Sequence, residues 1–140
     1  MPHALSSEDR IFVDRFERCE LPPPFTHRDH VRLAYSCLTG SDVDAACDTV
    51  KASLLRYLDH HGVDPEKYHE TLTRAWLLAV RHFMAITPPA RSAEEFLRKQ
   101  PRLLESRIML KHYSRERLFS TDARRGFLEP DRLPIPRYPS

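Results

Sequence analysis

Apolar residues in this chain recur at intervals of three and four, and proline or glycine cuts the pattern into segments. That arrangement admits helices and little else. Only three glycines are present, two of them directly after helix-like stretches, and β-branched alternation is almost absent. The predicted fold class is therefore all-α. We expect a compact bundle of four main helices, short C-terminal helices and an extended Pro-rich tail, in a single domain over 1–140.

Local signals set the expected boundaries. A first helix spans about Ser7 to Cys19, capped by Ser6 or Ser7 and ended by Leu21-Pro22-Pro23-Pro24. Thr26 caps the second, with Asp29 three residues on as a capping-box partner, and Gly40 closes it. Ser41 caps a third helix, roughly Asp42 to His60, and Gly62 terminates it. Asp64, with Pro65 at the favoured first position, opens the fourth, whose body runs from Tyr68 to about Ile86. Apolar on more than one face, this helix is expected at the centre. Ser92 and Glu95 form a capping box for a short helix, Pro101 starts another through Leu110, and brief turns surround Leu118 and Ala123. The tail, 128–140, is punctuated by proline and cannot be helical; it is either a strap across the helices or loose.

No stretch approaches the roughly 20 apolar residues that cross a bilayer. The N-terminus has no basic segment followed by an apolar run, so a signal peptide is not expected and cytoplasmic residence is. Three cysteines, Cys19, Cys37 and Cys47, are odd in number and irregular in spacing, which argues against a disulfide framework or a zinc ribbon. A net charge of +2 is too balanced for a nucleic-acid footprint. The expected partner is a small-molecule substrate, with no nucleic acid and no membrane; the oligomeric state is open.

Chemistry concentrates in the histidines. His27 and His30 lie three apart at the start of the second helix, hence on one face, in a stripe continued by Ala34 and Cys37. His69 opens a matching stripe on the fourth, with Thr73, Trp76 and Val80. In an up-down bundle these two helices run roughly parallel, which brings both starts to the same end. Imidazoles with a carboxylate suit a divalent transition metal: iron, copper or zinc. The candidate metal ligands are His27, His30, His69 and Glu70, the last as ligand or as general base, with Thr73 orienting a ligand or a bound water. The competing reading is that these histidines tie down loops. Tyr68-His69-Glu70-Thr71 does not continue into the metalloprotease His-Glu-x-x-His, because position 73 is threonine. His60 or His61, ahead of Gly62, could add a ligand but equally suits a helix C-terminus. His82 and His112 read as surface or boundary residues, and without metal a His-Glu pair could still perform acid-base work. Arg107, Lys111 and Arg115 could form an anion-binding edge or a solvated face.

The ordered set Phe25-Thr26-His27-x-x-His30-Val31, His60-His61-Gly62, Lys67-Tyr68-His69-Glu70-Thr71-Leu72-Thr73, Tyr113-Ser114 and Pro130-Asp131-Arg132-Leu133-Pro134 resembles an uncharacterised family of small bacterial all-helical proteins. The likeness runs from about Phe25 to Pro136. It implies that His27, His30, His69 and Glu70 occupy motif positions, and it implies no particular activity.

The expected function is a small cytoplasmic metal-dependent enzyme acting on a small molecule, by oxidative chemistry at iron or copper or by hydrolysis at zinc. The rivals are a non-enzymatic helical adaptor with structural histidines and a metal or ligand carrier.

Overall fold

The computed structural model describes residues 2–139, and seven α-helices with three 3-10 turns account for its regular structure. Among the described residues there is no strand, so the all-α expectation holds. Met1 and Ser140, the ends of the expected domain and tail, lie outside the described residues.

Helix α1, Ser7–Glu17, starts at a reciprocal capping box: Ser6 accepts from the Asp9 amide while Asp9 accepts from the Ser6 amide. Helix α2, His27–Leu38, starts the same way at Thr26 and Asp29, as the sequence pattern predicts. Helix α3, Val43–His60, is capped by Asp42 and not by Ser41, since the Asp42 carboxylate reaches the Ala45 amide. It ends at Gly62, whose φ of +68° is the left-handed turn that glycine adopts without a Cβ penalty. Amides of Gly62 and Val63 bond back to Asp59 and Leu58, closing the helix as a Schellman motif.

The approach to α4 differs from expectation. Asp64 and Pro65 open only a 3-10 turn, Pro65–Lys67, and α4 proper runs Glu70–Ala85 with His69 as its N-cap. Helix α5, Ala93–Lys99, is capped by Ser92, but the predicted capping box is one-sided: Glu95 turns its carboxylate to Arg91 and Lys99. The helix expected from Pro101 is two 3-10 turns, Pro101–Leu104 and Ser106–Lys111, neither with a side-chain cap. Helices α6, Arg115–Leu118, and α7, Thr121–Arg125, follow.

Helices α2, α3 and α4 pack on one another, and α1 and α5 close one side over Phe16, Tyr35 and Phe96, which are fully buried. A second apolar cluster on the other side of α4 gathers Leu78, Met109, Tyr113, Leu118 and Ile135. Ile135 belongs to the tail, which is a strap. The Tyr113 hydroxyl donates to Leu128 O, His112 Nδ1 donates to Leu133 O, and Tyr138 meets His82 Nδ1 at 2.6 Å. Among the described residues, no helix is long and apolar enough to cross a membrane.

Asp9 ties the N-terminus to this frame. Its carboxylate is 2 % exposed and accepts from the amides of Ser6 and Ala93 and from Arg32 Nε. Burial alone raises its pKa, but these donors outweigh burial and hold the carboxyl below the usual range.

Candidate functional site

A cavity of about 820 Å³ opens between α2, α3, α4 and the C-terminal segment. Helix α2 contributes His27, His30 and Ala34; α3 contributes Val50, Leu54, Tyr57 and Leu58. Leu72, Thr73, Trp76 and Leu77 come from α4, and Ser106 to Phe119 supplies the far wall. The volume lies within the roughly 300–1,000 Å³ typical of small-molecule sites. Helical spacing explains the lining: His27, His30 and Ala34 share one face of α2, while Thr73 and Trp76 share one face of α4.

The histidines differ sharply in what they do there. His69 is buried, and both ring nitrogens are engaged. Nδ1 accepts from the Leu72 amide at 3.1 Å, and Nε2–H donates to the Leu118 carbonyl at 2.8 Å. The ring thus caps α4 and takes up a carbonyl orphaned at the end of α6. Burial pushes its pKa down, Arg124 adds to the fall, and the Leu118 carbonyl opposes it. His27 does a related job: Nε2–H donates to Leu103 O at 2.9 Å, and its ring stands edge-on to Trp76 at 4.5 Å.

His30 is the exception. Its ring lies edge-on to Phe25 at 4.5 Å, and no hydrogen bond from the described residues holds either nitrogen. His30 is exposed to water where it borders the cavity, with protein crowded around the rest of its ring. That crowding lowers its pKa to about 4, with a further push from His27 and a partial counterweight from Asp29. The ring is neutral at pH 7, with one nitrogen able to donate and the other able to accept.

The other expected site residues have separate occupations. Glu70 is not on the cavity wall; its Oε1 accepts from the Tyr68 hydroxyl at 3.2 Å and pairs with Lys51 Nζ at 3.1 Å. Thr73 borders the cavity, but its hydroxyl donates to the His69 carbonyl at 2.8 Å. Neither His60 nor His61 lines the cavity. The three imidazoles His27, His30 and His69 thus share one cavity without sharing a coordination point. Among the described residues, no group of three or more His, Cys, Asp or Glu side chains is placed to hold a metal ion. The four-ligand set does not fit as it stands, because His69 and Glu70 are committed elsewhere.

Sequence reasoning overlooked Tyr57 and His3. Tyr57 borders the cavity and packs against Phe16, Phe25 and His61, and its buried hydroxyl has no partner among the described residues. His3 donates from Nε2 to Met84 O and accepts at Nδ1 from the Ala90 amide, tying the N-terminus to the last turn of α4 and to the loop after it. Its partners lie 81 and 87 positions away, so no local pattern announces it. Cys37 and Cys47 are pushed up to about 11 by burial, with nearby acids adding to the rise and Arg74 opposing it at Cys47; both are inert thiols at neutral pH.

The chain matches no family model, no curated protein and no solved structure.

Proposed function

We propose that this protein binds a small molecule in the cavity between α2, α3 and α4, and that His30 exchanges a hydrogen bond or a proton with it. One observation carries the reading: among the imidazoles that border the cavity, His30 alone has both nitrogens unclaimed. A neutral imidazole can donate to a bound molecule from one ring nitrogen and accept at the other, and a mostly apolar wall strengthens any polar contact made there. His69 serves the same site indirectly by holding the far wall to α4 at Leu118, and His27 by holding the turn Pro101–Leu104 to α2 at Leu103.

Trp76, the one tryptophan in the sequence, borders the cavity and reports on occupancy. Titrating small neutral aromatic and heterocyclic compounds against Trp76 fluorescence, on the parent and on His30→Ala, tests the reading. The expected result is saturable quenching that weakens about tenfold in the variant, the loss of roughly one neutral hydrogen bond. Absence of quenching by every compound, or equal affinity in His30→Ala, contradicts it.

Metal-dependent chemistry is the second reading, favoured by the three imidazoles around one cavity. It requires His69 to release Leu72 or Leu118. Elemental analysis after loading with iron, copper or zinc decides it: metal held by the parent and lost in both His30→Ala and His69→Ala supports it, given unchanged thermal melts for the first variant. Metal retained in both variants, or none in the parent, removes it.

A further inference from the structure

The charges around the cavity specify a ligand class. No aspartate or glutamate is among the lining residues, whereas Lys67, Arg107 and Arg115 all are. The three come from separate places: the 3-10 turn before α4, the turn Ser106–Lys111, and the first residue of α6. Each is exposed at the rim, and among the described residues no carboxylate pairs with any of them within 4.0 Å. Behind the rim the wall turns apolar, through Leu54, Leu72, Leu77 and Met109.

Resting on the reading of this cavity as a ligand site, we infer that its ligand is an amphipathic anion: an apolar body seated between α2, α3 and α4, with one carboxylate or phosphate head held at the mouth by Arg107, Arg115 and Lys67. The apolar wall gains by burying hydrocarbon, at about 25 cal/mol per Å². Guanidinium groups match both kinds of oxyanion in planar geometry, and a wall without carboxylates imposes no repulsion on them. A cationic ligand meets only like charge. His30, neutral and on α2, neither attracts nor repels the head and stays available to the body of the ligand.

Four ten-carbon probes, kept below their micelle-forming concentrations, test this through Trp76 fluorescence and calorimetry: decanoate, decyl phosphate, 1-decanol and decylammonium. The expected result is that at least one anion binds about tenfold or more tighter than decanol, with decylammonium weakest. The Arg107→Gln/Arg115→Gln double variant then loses that advantage while its affinity for decanol is unchanged, which also shows that the cavity is still formed. The ratio of decyl phosphate to decanoate identifies the head group. Equal binding of decanol and both anions to the parent overturns the anionic inference and leaves the cavity reading intact. No binding by any of the four overturns both. An anion preference that survives in the double variant also overturns the assignment to these arginines.

Discussion

The start of α4 and the start of α2 both present histidine to the same cavity, and they treat it in opposite ways. At α4 the His69 ring is consumed by the fold: one nitrogen caps the helix and the other holds Leu118. At α2 the capping is done by Thr26 and Asp29, so His30, one turn further on, is left with its nitrogens unclaimed. The same contrast recurs between the Asp9 junction and the cavity rim. Around Asp9 three separate donors converge on one buried carboxylate. Around the rim, cations stand without acids. At the Asp9 junction the polar groups are satisfied from within the fold, whereas the rim cations have no acid partner among the described residues.

Substitutions sharpen the comparison, and Asp9→Ala is expected to have the largest effect. It strands two amides and the partly buried Arg32, for a loss of about 3–5 kcal/mol in urea unfolding. His69→Ala follows, at about 2 kcal/mol, because it removes a helix cap and orphans the Leu118 carbonyl. His30→Ala is expected to cost under about 0.5 kcal/mol, since no protein group depends on it. Equal losses for the two histidine variants break the contrast. Tyr57→Phe tests it from the other side: deleting a buried hydroxyl that has no partner is expected to be neutral or to stabilise by up to about 1 kcal/mol. A destabilised Tyr57→Phe reveals a partner for that hydroxyl.

Acid gives the most graded effect. His69 and His30 both have folded pKa values below the unfolded value of about 6.5. The unfolded chain therefore binds more protons than the folded one in this range, and stability rises with pH. It is full above about pH 6.5 and declines as pH falls toward the His30 value of about 4. Asp9, held low, adds its own loss only as pH drops below about 4. In denaturant melts His69→Gln, which cannot titrate, is expected to show a shallower decline between pH 6.5 and 4.5 than the parent. An unchanged slope assigns the acid sensitivity elsewhere.

Much of this fold is legible in the residues because the strongest signals are local. The periodicity of α1 to α4, the Thr26–Asp29 box and the Gly62 stop each act within a few positions, and each is found where the pattern puts it. Local signals that have competitors mislead. Pro65 suits a helix start, yet the His69 ring supplies the better cap four residues later, and Glu95 is drawn from its box by Arg91 and Lys99. The site is legible in part. The spacing of His27 and His30 puts both on the cavity wall, but whether a nitrogen is spent depends on carbonyls at Leu103 and Leu118, 76 and 49 positions away. Asp9 is hidden for the same reason, since its Ala93 partner is 84 positions distant.

The most direct test is a pH titration of the histidine side-chain nitrogens by long-range ¹H–¹⁵N NMR, with and without decanoate. His69 is expected as a single Nε2–H tautomer that stays neutral until the protein unfolds. His30 is expected to protonate reversibly near pH 4 and to shift when decanoate is added at pH 7. A His30 ring locked in one hydrogen-bonded tautomer and indifferent to ligand, or a His69 ring that titrates as a mobile side chain, contradicts the division between the two.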